Sequence, residues 1–178
     1  MSFNTLESVL EDQLREMHAA ETHLIRELPR VVEGASSTEL KSMINEYLEL
    51  CKQHAQAVSN LIKGPSPAHP SHHRAVDALL RRALDISEKR GDQTLLDLGI
   101  TFVMREIEMV KISGYEASKL VAEVVSANES LKTVERCLLD EQQAERAWVV
   151  LGEDMIDTVG SEVMRRAAAD RGVAQAGV

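Results

Sequence analysis

Apolar residues at positions 10, 14, 17, 24, 25 and 28 recur at the i, i+3, i+4, i+7 spacing of one helix face. Glu21 falls inside that stripe, seven residues after Leu14 and seven before Leu28. A carboxylate on the core side of a helix is costly unless a partner pairs with it or a metal binds it. Whatever this chain folds into must therefore aim matching groups at Glu21.

The chain of 178 residues is long enough for one domain with a real core. Only 3% of its residues are aromatic, while Leu, Ala, Glu, Arg and Met abound, a bias toward helix and away from sheet. A formal charge of −9 would repel a phosphate backbone, so nucleic acid is not an expected partner. No apolar run approaches the roughly 20 residues of a membrane span, and no charged-then-apolar leader opens the chain. Cys51 and Cys137 lie within helical patterns without metal-type spacing, and read as small buried hydrophobes in a reducing compartment. The expectation is a cytoplasmic protein with neither membrane nor nucleic acid as partner.

The periodicity predicts a first helix from Asn4 or Thr5 to Glu33, ended by Gly34 and kinked at Pro29. Ser36-Ser37-Thr38-Glu39 is a capping cluster, and a second helix follows from Ser37 to Lys63, with Leu40, Ile44, Tyr47, Cys51, His54, Val58 and Leu61 in its seam. Gly64 to Ser71 reads as a loop; with His69, His72 and His73 it resembles an adventitious metal cluster, but a solvated crossover is the better reading. A shorter amphipathic helix spans Ala75 to Lys89. The third long helix runs from Gln93 to Ser126, with Leu96, Ile100, Val103, Ile107, Val110, Gly114, Ala117 and Val121 as a seven-residue repeat. Glu106 and Glu108 flank that seam. The last long helix runs from Asn128 to Thr158, and Glu141 and Glu145 interrupt its apolar face. Residues 1–160 thus form the bundle, and 161–178 a short basic helix with a frayed tail.

Four long helices in two antiparallel hairpins, joined by a long crossover containing one short helix, make an all-α, ferritin-like four-helix bundle. Bundles of this kind hold two iron or manganese ions with inward carboxylates and Glu-x-x-His pairs, because hard oxygens neutralise and bridge divalent cations while imidazoles complete the coordination. The midpoints of the four helices offer Glu21, His54, Glu108 and Glu141 or Glu145. A core histidine alone is more often a structural hydrogen-bonder; a second polar group in a neighbouring seam strengthens the ligand reading for His54. For Glu49 and Glu106 the better reading is a solvated or paired surface carboxylate.

The stretch Glu16-Met17-His18-Ala19-Ala20-Glu21-Thr22-His23-Leu24, followed by Glu27-Leu28-Pro29, resembles the Asp-x-Tyr-x-Ala-Glu-x-Gln-Leu and Ala-Leu-Pro motif of the YciE/YciF-type ferritin-like bacterial proteins. Glu39-Leu40-Lys41, Leu48-Glu49 to His54, Ile107-Glu108 through Tyr115 and Leu139-Asp140-Glu141 resemble its later helices more loosely. The resemblance implies a rubrerythrin-related bundle associated with stress, a homodimer and no settled activity; iron or manganese at the central layer would carry O2 or peroxide chemistry. This chain departs from the pattern where the family carries acids: it has Leu50, Lys111 and Gln142. It also lacks any Glu-x-x-His, since Cys51 stands three before His54. Two readings follow. One is a metal-binding bundle with Glu21, His54, Glu108, Glu141 and Glu145 as ligands. The other is a metal-free dimeric scaffold whose central acids pair with Lys111.

Overall fold

The computed structural model describes residues 4–64 and 74–176, with side chains through Arg165. The described residues form five helices: α1 (Leu6–Gly34), α2 (Thr38–Ser59), α3 (Arg74–Ser87), α4 (Gln93–Val124) and α5 (Asn128–Ala176). The hairpins α1–α2 and α4–α5 carry the most extensive packing, and α3 lies against α1 and α4. This is the all-α, ferritin-like arrangement the periodicity predicts. No helix among the described residues is long and apolar enough to cross a membrane.

Side-chain caps fix the helix starts. Thr5 and Ser8 form a reciprocal capping box at α1. Ser37 accepts from Leu40 N at α2, and Asp92 from Thr94 N and Leu95 N at α4. The turn between α4 and α5 is short because Ser126 adopts a left-handed φ of 55°, letting Ala127 N donate back to Ala122 O at 2.9 Å. Pro29 sits inside α1 without ending it.

Two boundaries differ from the sequence expectation. α2 stops at Ser59 rather than Lys63; Leu61 and Ile62 turn back to pack on the core, and Arg15 Nη2 donates to Lys63 O at 2.9 Å. α5 runs through Gly160 without a break, so the separate C-terminal helix expected after residue 160 is a continuation of this 49-residue helix. The histidine-bearing crossover, residues 65–73, lies outside the described residues.

The seam of α4 is also corrected. Gly114, Ala117 and Val121 are only partly buried, while Tyr115, Ser118 and Ala122 face the core. A strict heptad drifts about 20° per repeat off a straight α-helix, and an eleven-residue repeat drifts by a similar angle in the opposite sense. The buried pairs Ile100–Lys111, Lys111–Ala122, Met104–Tyr115 and Asp97–Glu108 are each eleven residues apart, so the second half of α4 follows the eleven-residue rather than the seven-residue spacing. Gly114 still brings α1 and α4 together: a methyl group there would overlap the end of Met17.

Asp97 was not singled out by pattern, yet it is 2% exposed and ties the two hairpins. Its carboxylate accepts from Ser36 N at 2.9 Å and Ser37 N at 2.6 Å, satisfying the backbone of the α1–α2 turn from α4. Replacing it leaves two donors without their charged acceptor. Asp97→Ala should therefore lower the unfolding free energy in urea by roughly 2–3 kcal/mol, with a midpoint shift and no change in slope.

Candidate functional site

The apolar core is not continuous. One cluster holds Leu24, Leu28, Ile44, Tyr47, Cys51, Ile107 and Trp148; the other holds Leu14, Met17, Val58, Ile112, Tyr115 and Leu138. Each helix changes from one cluster to the other at a polar residue. Glu21 lies between Met17 and Leu24, His54 between Cys51 and Val58, Glu108 and Lys111 between Ile107 and Ile112, and Glu141 between Leu138 and Trp148. The periodicity that builds the core thus forces these side chains into one layer. All five are at most 1% exposed.

Lys111 is at the centre. Its Nζ lies 2.9 Å from Glu21 Oε2 and 2.6 Å from Glu141 Oε1, donates to Tyr47 OH at 2.9 Å, and is 3.8 Å from Cys51 Sγ. Burial works to lower its pKa, but Cys51, Glu141 and Glu21 outweigh that and hold it well above the usual lysine range. Lys111 is therefore an ammonium ion.

His54 stands between carboxylates. Its Nδ1 is 2.7 Å from Glu141 Oε1 and 3.5 Å from Glu21 Oε1, and its Nε2 is 3.2 Å from Asp140 Oδ2 at the layer's outer edge. Burial alone would lower its pKa; hydrogen bonds and charge from Glu141 and Glu21 push it up to about 9. At neutral pH the ring is an imidazolium that donates from both nitrogens.

The carboxylates divide into two protonation states. For Glu141, burial is overcome first by the Lys111 charge and then by hydrogen bonds with Glu108 and His54, which hold it down at about 2. Glu108 goes the other way: burial, then the Glu141 charge and hydrogen bond, push it well above the carboxylate range. Glu108 is thus held as a neutral acid beside Glu141, and Oε2 of each has no hydrogen-bond partner among the described residues. Trp148 Nε1 donates to Glu108 Oε1 at 3.2 Å, and Tyr115 OH donates to Glu21 Oε1 at 2.7 Å. The layer is electrostatically closed: Lys111 and His54 face Glu21 and Glu141, with Asp140 at the rim.

Of the sequence candidates, Glu21, His54, Glu108 and Glu141 converge. Glu145 does not; it is 17% exposed and pairs with Arg105 at 2.7 Å, one helical turn from the layer. Glu106 pairs with Arg82 and Glu49 with Lys52 at the surface. Pattern reading did not assign Tyr47, Tyr115, Trp148 and Asp140 to the layer. Tyr115 and Asp140 carried a usable signal, seven residues from Glu108 and next to Glu141.

Glu21, His54 and Glu141 each offer a donor atom within 4.8 Å of the others, the spacing of a single-ion site. The position of Lys111 works against a two-metal centre. Its ammonium occupies the space between the two carboxylates that a bridging cation would need. The donor set does not fit two divalent ions.

The family model described as "Domain of unknown function (DUF892)" matches residues 5–167. Among solved structures, the E. coli stress protein YciF superposes with a TM-score of 0.80 at 18% identity, over 87% of this chain and 99% of that one. YcfI from Rhodopseudomonas palustris superposes with a TM-score of 0.75 at 23% identity, over 83% of this chain and 96% of that one. At these identities the likeness concerns the fold alone. No curated protein matches.

Two outcomes follow from the layer. Lys111→Met strands two buried carboxylates and should cost about 3–5 kcal/mol at neutral pH; denaturation at successively lower pH should show the loss shrinking as those carboxylates take up protons. His54 has a folded pKa above its unfolded one, so its stabilisation is full below about 6.5 and is lost as pH rises through about 9. The melting temperature should fall across that window, and His54→Gln should flatten the fall.

Proposed function

The chain belongs to the family described as "Domain of unknown function (DUF892)", and we propose that within it this protein is a metal-independent helical scaffold of the stress-response type. One observation carries the reading: the Lys111 ammonium, fully buried, bonds both Glu21 and Glu141 where a divalent cation would otherwise bridge them. The stress protein YciF, similar in fold, supports the type of role. Self-association fits the surface. Leu95, Phe102 and Met109 recur every seventh residue on α4 and are each more than two-fifths exposed, and the Phe102 ring reaches over Gly152 of α5. An apolar stripe of this kind suits a homodimer contact.

A second reading is favoured by the clustering of Glu21, His54 and Glu141. A single iron or manganese ion held by these three would need His54 to lose its proton and Lys111 to swing away. Such an ion would supply Lewis-acid or redox chemistry at O2 or peroxide.

Metal content of untagged protein separates the two, measured by mass spectrometry before and after anaerobic ferrous iron. The scaffold reading expects no stoichiometric metal and a melting temperature indifferent to chelator or manganese. Lys111→Glu exchanges the internal cation for another carboxylate; it should melt lower in chelator and recover in manganese. Stoichiometric metal in the unaltered chain, lost in Glu21→Ala, would sink the scaffold and establish the single-ion reading.

A further inference from the structure

We propose that the groove between α2 and α5 binds a small organic cation, an ammonium or guanidinium group carried on an apolar body. α2 and α5 touch far less than the helices within either hairpin, and their seam opens into a groove of about 370 Å³. That volume is within the range of small-molecule sites, about 300–1,000 Å³. Its walls are Met43, Tyr47, Leu50, Ala144, Ala147 and Trp148. Tyr47 and Trp148 meet edge to face, with centroids 6.1 Å apart, and both are held from behind by the polar layer. Lys111 donates to the Tyr47 hydroxyl, and Trp148 Nε1 to Glu108. The apolar wall is therefore fixed before any ligand arrives, which reduces the ordering cost of binding.

The charged residues of the groove all have one sign. Glu46, Glu49 and Asp140 line it, and among the described residues no lysine, arginine or histidine does. Glu49 is bonded by Lys52 from outside the groove, and Asp140 by His54 from within the core. Among the described residues Glu46 meets the hydroxyl of Ser42 and no cation, so the groove keeps a net negative charge beside its apolar wall. A neutral ligand would gain the wall alone, and an anion would be repelled. A cation with an apolar body gains both. The groove between α1 and α3 makes the contrast. There Arg26, Arg30 and Arg81 face Glu27, Asp77 and Asp85, and the arginines bond to their acidic neighbours Glu27 and Asp77.

Trp148, the chain's one tryptophan, reports on the groove directly. Its emission and calorimetric heat would be followed while the full chain is titrated at low salt with benzylammonium, benzyl alcohol and benzoate, which differ chiefly in charge. The proposal expects saturable benzylammonium binding about tenfold tighter than benzyl alcohol, and none for benzoate. The double variant Glu46→Gln/Glu49→Gln changes only exposed side chains; it should weaken benzylammonium about tenfold, to the level of the alcohol. Ala147→Leu fills the groove and should abolish the response while far-UV circular dichroism stays unchanged. Equal affinity for the cation and the alcohol, cation binding that survives the double variant, or no saturable response to the cation would each overturn the proposal.

Discussion

A lysine ammonium with no exposed surface is tolerated only because two carboxylates reach it from two other helices. Removing any one of Glu21, Lys111 and Glu141 leaves an uncompensated charge in the apolar interior, and that penalty exceeds what an intact pair contributes. The remaining polar groups are arranged around the same requirement. His54 supplies the second positive charge, Glu108 keeps its proton, Tyr115 and Trp148 donate to Glu21 and Glu108, and the Tyr47 hydroxyl accepts from Lys111. A layer of this kind contributes little net stability compared with apolar packing, but it admits one alignment of four helices, because any slip strands a charge.

The helical frame serves that alignment unevenly. α3 covers the side of the bundle where α1 meets α4, and Asp97 locks the α1–α2 turn to α4. The opposite seam, between α2 and α5, has no covering helix among the described residues and leaves Asp140 36% exposed beside His54. The polar layer is therefore sealed on one side and approached by a groove on the other.

Much of the architecture was legible in the residues. Amphipathic spacing gave the helices and their order, and the capping residues Thr5, Ser37 and Asp92 stand where the chain enters α1, α2 and α4. Glu21 and His54 stood out as polar residues in apolar seams, which is a local signal. Glu145 carried the same signal as Glu141 and is nonetheless at the surface, because Arg105 of α4 faces it across the hairpin. The face of α4 was placed a fraction of a turn off in its second half, since three- and four-residue steps fit a seven- and an eleven-residue repeat almost equally well over a few turns. That small angle decides whether Tyr115 or Gly114 points inward.

The sequence by itself determined that this chain is a helical bundle with acids and a histidine at mid-helix, because hydrophobic period and helix propensity are properties of neighbouring residues. It also raised Lys111 as a cation where carboxylates were expected. Only the tertiary structure decided what those groups are to one another. Protonation depends on distances of a few ångströms between residues 94 positions apart, as for Tyr115 and Glu21. Folding set Lys111 between two carboxylates and brought His54 and Glu108 into the same buried layer.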